Sequence, residues 1–314
     1  MPSKVPKLLI IAILAAVISA CSGVGQNSAS NTSSAREAKK DLAELRASMK
    51  KIEPFFKPMG KPGPIDWMAT NKEQGQTFEE YIDGSPTVPT DERKIIYVQP
   101  LGSFTAEQTR VIKTTSDYIE AFYGLKVKSL PPKTVPAKLT AADERMIDYP
   151  KHRQVRSGYI LEKMLQPALP EDAAALIAFT NVDLYPDTSM YFVFGQASLE
   201  NRVGVWSLYR LNTHANYDTF LARTMKIAVH ETGHMFSMRH CTKYECVMSG
   251  TNHLGETDRR PIDACPECMA KICWMMKQSP KNRYNRLVQF AAKHNMTVAE
   301  KDFEKKSRAI ASVE

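Results

Sequence analysis

The chain has 314 residues, 43% of them hydrophobic, and a formal net charge of +8 from 42 basic and 34 acidic side chains. That length supports one large domain or two small ones with a proper core. The charge is not a nucleic-acid footprint: no basic-and-aromatic module accompanies it, and the segment from Lys281 onward, with eight basic and four acidic residues, holds half of the surplus.

The first stretch, "MPSKVPKLLIIAILAAVISAC", sets Lys4 and Lys7 ahead of an apolar run that ends in small residues, the pattern of a secretion signal over residues 1–20. The run from Leu8 to Ile18 is shorter than the roughly 20 residues that a membrane span needs, so no mature transmembrane helix is expected there. Ile18-Ser19-Ala20-Cys21 resembles a bacterial lipobox, which makes Cys21 the expected lipidation site and a lipid anchor on the cell envelope membrane the expected location. An ordinary cleavable signal with an incidental cysteine is the alternative. Ser22 to Ser34 is small and polar, so residues 21–35 read as a lipidated N-terminus and flexible tether.

Residues 36–92 read as a helical, then proline-rich extension: Leu42, Leu45 and Met49 recur at helical spacing before "PFFKPMGKPGPIDW" breaks the pattern. From Arg93 strand and helix signals alternate. "KIIYVQPLG" is a strand, "TAEQTRVIKTTSDYIEAFYG" an amphipathic helix stopped by Gly124, and "LKVKSL" a second strand, a βαβ unit that calls for parallel pairing. A helix over about Ser157 to Leu165 follows, then strands in "AAALIAFTNVDLY", "MYFVFGQASL" and "RVGVWSLYRL", and a helix from about Tyr217 to Met238. Shorter helices are expected near Pro266 to Met276, near Lys281 to Lys293 and at the C-terminus. The expected organisation is therefore an α/β (α+β) domain with a twisted mixed sheet over 93–279, followed by a basic helical extension over 280–314.

The chemistry concentrates in "VHETGHMFSMRHC". His230 and His234, four apart, share one helix face where both imidazoles can grip one ion, and Glu231 lies beside the first. A solvated surface helix would carry the same pentad, but the preceding "FLARTMKIAV" is apolar, so this helix is expected to be buried. Burying these side chains without partners costs several kcal/mol once a charge is involved, and a metal supplies the partner. His240 falls ten residues after His230 and Met248 follows in "CVMSG", the metzincin arrangement of a third ligand past the helix end and a methionine turn under the metal. Where that motif has glycine this chain has Ser237, so a left-handed serine is expected, at a cost of roughly 1–2 kcal/mol. Of six cysteines, Cys241, Cys246, Cys265, Cys268 and Cys273 crowd into 33 residues, a clustering that fits a metal site or disulfides.

His240-Cys241, Cys246-Val247-Met248 and Cys265-Pro266-Glu267-Cys268, together with "VFGQA" and "ETDRRP", resemble the archaemetzincins, a family of zinc metalloproteases, over about Arg93 to Ile272. The resemblance implies two zinc ions per chain: a catalytic one on His230, His234 and His240 with one place open to water, and a structural one on Cys241, Cys246, Cys265 and Cys268. Cys273, among Ile272, Trp274 and Met275, reads as a core cysteine, with a spare thiol or an alternative ligand as the other readings. The expected activity is hydrolysis of peptide bonds in a peptide or protein substrate, with Glu231 as general base and then acid toward a zinc-activated water. A zinc-stabilised surface binding protein, weak or inactive in catalysis, is the alternative. By resemblance to metzincins generally, the strand from Met190 to Gly195 is expected at the sheet edge above the active-site helix, where an extended peptide can add to it. The chain is expected to be a monomer. Residues 36–92 carry no motif, and a pro-segment that covers the cleft is one expectation for them.

Overall fold

The computed structural model describes residues 27–311 except Leu199, with side chains from residue 39 onward. The signal segment and Cys21 lie outside the described residues. Two compact units divide the chain, Met1–Asp41 and Leu42–Glu314. No helix among the described residues is long and apolar enough to cross a membrane.

Helix α1 spans Asn27–Ile52 and so begins inside the stretch that composition marks as an irregular tether. Once the strongly helix-forming residues after Ala35 provide a nucleus, each added residue gains a hydrogen bond at little cost, which carries the helix back through serines and asparagines. Two short helices follow, α2 (Trp67–Thr70) and α3 (Phe78–Asp83), the second started by a capping box between Thr77 and Glu80. Strand β1 (Ile95–Leu101), helix α4 (Ala106–Tyr123) and strand β2 (Lys126–Ser129) form the expected βαβ unit, with β1 and β2 parallel. A capping box of Thr105 and Gln108 starts α4, and Gly124 at φ 77° ends it in the left-handed conformation that glycine adopts without strain.

Next come β3 (Glu144–Ile147), β4 (His152–Arg156) and the short helix α5 (Ser157–Tyr159), which continues as a π-helical turn over Ile160–Leu165. Strands β5 (Ala173–Thr180), β6 (Asp183–Tyr185), β7 (Gly195–Ala197) and β8 (Val203–Ser207) complete two sheets. The larger runs β2-β1-β5-β8-β7, parallel except for β7 at its edge, and the smaller runs β3-β4-β6. The fold is thus mixed α/β, as expected.

All eight residues of β5 are buried, and they alternate between two cores. Ala175, Ile177 and Phe179 join α4 residues such as Val111, Ile119 and Phe122 on one face, while Leu176 and Ala178 meet Ile160 and Leu165 on the other. A strand covered on both faces reads as a continuous apolar run, which is why its sequence shows no polar alternation.

The single strand expected over "AAALIAFTNVDLY" divides into β5 and β6, which belong to different sheets, and two further expected strands are shorter than the sequence suggests. Of the described residues between Met190 and Leu199 only Gly195–Ala197 forms a strand, antiparallel to β8, while Val193 makes an isolated bridge to Leu184 of β6, so the edge strand begins where Met190 to Gly195 was expected to end. "RVGVWSLYRL" is strand only to Ser207, whose hydroxyl accepts from the Tyr209 amide and starts helix α6 (Leu208–Leu211). Helix α7 (Tyr217–Met235) crosses beneath the sheet against α4, its C-terminus three residues short of the expected Met238. Helices α8 (Leu254–Arg259), α9 (Pro266–Met275), α10 (Pro280–Lys293) and α11 (Thr297–Ala311) follow.

Candidate active site

Helix α7 brings His230, Glu231 and His234 to the wall of a cleft of about 420 Å³, and the loop after it returns His240 to the same place. One ligand atom from each histidine lies within 4.8 Å of the others. The expected left-handed bend is present: Ser237 has φ 62°. Its hydroxyl accepts from the Thr87 amide at 3.0 Å, so the serine gains a partner that glycine could not offer.

The imidazoles are oriented from behind. His230 Nδ1 donates to the Val247 carbonyl at 2.9 Å and His234 Nδ1 to the Met238 carbonyl at 2.7 Å. A carbonyl only accepts, so each Nδ1 carries the proton and each Nε2 the lone pair. Burial, reinforced by the other histidines, holds the His230 ring well below the usual histidine range, and His234 is pushed down to about 4 by burial and then by His240. The rings are therefore neutral at pH 7. Yet His230 Nε2 and His234 Nε2 stand 3.0 Å apart, with no proton left for a bond between them. Two lone pairs face each other across a gap that a cation resolves, so the donor set fits zinc.

Glu231 is 9% exposed and its carboxylate has no hydrogen-bond partner among the described residues; burial alone pushes its pKa up to about 8. Beside it passes β7, and a Cβ on Gly195 would lie 3.1 Å from Glu231 Cγ. Under the site, a Cβ on Gly233 would meet Met248 Sδ at 2.7 Å, so the glycine within the pentad is what lets the methionine turn approach the helix.

Cys241, Cys246, Cys265 and Cys268 converge, all buried, with Cys241 Sγ and Cys265 Sγ 3.5 Å apart, far beyond a disulfide's roughly 2.05 Å. None is disulfide-bonded. Cys246 Sγ accepts from the amides of Met248 at 3.4 Å and Cys265 at 3.2 Å, the pattern of a ligating sulfur. The neighbouring thiols, Cys246 first, donate toward Cys241 and hold it far below the usual thiol range, whereas burial pushes Cys265 up. Cys273 sits apart in α9, its thiol touching Met269 Sδ at 3.6 Å and pushed up to about 12 by burial, as a core cysteine should be.

A profile of "Peptidase family M54" matches residues 108–273. Archaemetzincin-2 of Macaca fascicularis is 34% identical over 292 residues, covering 80% of each chain, and archaemetzincin of Archaeoglobus fulgidus is 32% identical over 177 residues, 56% of this chain and 98% of that one. A crystal structure of archaemetzincin from Methanopyrus kandleri aligns at 24% identity with TM-score 0.49, over 61% of this chain and 99% of that one. The chain belongs to peptidase family M54. It is an archaemetzincin, and so a zinc metallopeptidase that acts on peptide substrates.

Four residues that no motif announces complete the site. Glu73 accepts from His240 Nδ1 with both carboxylate oxygens, at 3.0 and 2.9 Å. Trp67 sets its ring edge-on to His240, with centroids 5.0 Å apart. Gln76 accepts from the Arg239 amide at 3.1 Å. Lys226, one turn before His230, lies in the cleft wall with Nζ on the Thr257 and Asp258 carbonyls at 2.9 and 3.2 Å. A spacing of 167 residues between Glu73 and His240 leaves no local signal.

Proposed function

We propose that this archaemetzincin hydrolyses peptide bonds with a catalytic zinc on His230, His234 and His240, and that a second, structural zinc sits on Cys241, Cys246, Cys265 and Cys268. The observation that carries the reading is the pair of facing Nε2 lone pairs at 3.0 Å beside the unpartnered Glu231 carboxylate. Held by the three histidines, zinc would supply Lewis-acid polarisation of the scissile carbonyl and would make water a competent nucleophile near neutral pH. Glu231 takes the proton of the attacking water on its carboxylate and delivers it to the leaving amine, so one residue serves as base and then acid. Burial supports this role, because a carboxylate without competing donors is a stronger base than a solvated one. The main chain of β7, at the sheet edge beside Glu231, aligns an extended peptide by strand addition.

The test is Glu231→Gln on the full chain, with zinc measured by elemental analysis. Turnover of a quenched-fluorescence peptide library should fall by roughly 10²- to 10⁴-fold, the usual worth of a general base, with zinc content unchanged. Equal cleavage by the variant would end the assignment; a wild-type chain with full zinc and no cleavage would point to a zinc-stabilised binding protein. Export and acylation at Cys21 are part of the same proposal, supported by the signal pattern before it. Incorporation of labelled palmitate that persists in Cys21→Ala would refute the acylation.

A further inference from the structure

We propose that Glu73 is a positioning residue for the third metal ligand, and that segment Trp67–Thr87 is a permanent part of the catalytic centre. The inference rests on the assignment of the three histidines as zinc ligands.

The argument begins with an asymmetry. His230 and His234 are ordinary helix residues whose rings are fixed by α7 and by neutral carbonyl acceptors. His240 lies beyond the helix, on a chain that has just turned through the left-handed Ser237, and among the described residues no carbonyl orients its ring. Its Nδ1 is instead held by the Glu73 carboxylate, which leaves Nε2 for the metal. A carboxylate behind a ligating imidazole fixes ring orientation and tautomer, and raises the ligand's basicity more than a carbonyl does. The most weakly tethered ligand has the strongest orienting partner.

The rest of the segment grips the same bend. Thr87 donates its amide to Ser237 Oγ, Gln76 reaches the Ser237 carbonyl at 3.4 Å and the Arg239 amide at 3.1 Å, and Tyr81 donates to the Phe236 carbonyl at 2.8 Å. Trp67 is anchored in turn, its amide on Glu256 at 3.0 Å. Just ahead of it, the Asp66 carboxylate takes Arg259 at 2.8 Å and His253 at 3.0 Å. Asp66, His253 and Glu256 make a further group with metal-like spacing, but Arg259 and Arg260 neutralise its carboxylates, and it serves as the clasp of the strap. A pro-segment released on activation would take Glu73 with it and leave the third ligand unsupported, so this stretch is not one.

Cobalt(II) titration of the full chain tests the proposal, since imidazole-bound cobalt shows weak d–d bands whereas thiolate-bound cobalt adds intense charge-transfer bands. Glu73→Ala should weaken cobalt binding at the histidine site 10- to 100-fold, the usual effect of losing an outer-shell partner. The thiolate bands should persist, which shows that the variant is folded. Glu73→Gln, still able to accept from Nδ1 through Oε1, should recover most of the affinity. Wild-type affinity in Glu73→Ala alongside a weakened His240→Ala would overturn the role of Glu73 and leave the three-histidine site standing. Wild-type affinity in His240→Ala would overturn that site as well. A Glu73→Gln no tighter than Glu73→Ala would overturn the orienting role.

Discussion

Replacing Ser237 separates two energies that the bend combines. At φ 62° the serine costs roughly 1–2 kcal/mol relative to an unstrained residue. Against that stands the bond from the Thr87 amide at 3.0 Å, which contributes about 0.5–1.5 kcal/mol. Ser237→Gly removes the strain, loses the bond, and adds about 0.5–1 kcal/mol of chain entropy to the unfolded state. These terms nearly cancel, so the glycine variant should lie within about 1 kcal/mol of the wild type. Ser237→Ala keeps the strain and loses the bond, leaving a part-buried amide without its acceptor, so it should be less stable by about 1–2 kcal/mol.

Thermal unfolding of the metal-free chain reads the difference, because zinc would add its own binding energy to each variant. For a unit of this size about 1 kcal/mol moves the midpoint by roughly 2–4 °C, so alanine should melt well below both serine and glycine. Alanine as stable as serine would refute the compensating bond; glycine more stable by several kcal/mol would show that the strain is not offset at all.

Other perturbations have equally definite outcomes. Cys246→Ser should reduce bound zinc by one atom per chain and destabilise the loop by several kcal/mol, both visible by elemental analysis and calorimetry. Asp263→Asn should cost about 3–5 kcal/mol in denaturant titrations, because Asp263 neutralises the buried Arg283 and Lys306 at 2.9 and 3.0 Å. Burial lowers Lys226 from 10.5 to about 8, so between those values the folded chain binds fewer protons than the unfolded one and stability rises with pH. Lys226→Met should lack this rise in urea titrations at pH 7.5 and 10, and an unchanged slope would refute the shift.

The sequence makes legible whatever is local. The capped α4, the βαβ unit and the buried β5 follow from period and turn chemistry, and His230, Glu231, His234 and His240 from spacing on and just past one helix, whereas the set of four cysteines comes from the family resemblance, since their clustering fits disulfides as well. Alternation over Met190 to Leu199 promised more strand than exists, because pairing depends on a partner, and β8 offers one only to Gly195–Ala197. The hairpin of β3 and β4 was invisible because its residues are mostly part-exposed and charged, such as Glu144, Arg145 and Arg153, and lack a hydrophobic face. Glu73 and Trp67 were invisible for another reason: each works on a partner well over a hundred residues away, and nothing beside them in the chain records it.

Those distant contacts explain why the site tolerates a serine at its bend. The turn is held on three sides: by Thr87, Gln76 and Glu73 from the N-terminal strap, by the Met248 carbonyl on the Cys241 amide at 2.8 Å, and by the sulfur cluster that begins at Cys241. Val247 links His230 to the same frame. Its carbonyl orients His230 while its amide bonds the Asp263 carbonyl at 3.1 Å, and the Asp263 side chain is locked to Arg283 and Lys306 of α10 and α11. Residues before and after the family-matched region therefore both bear on the histidines, Glu73 on His240 directly and Arg283 and Lys306 on His230 through Asp263 and Val247. A bend over-determined in this way can carry a strained residue, since straightening it would break several bonds to relieve one torsion.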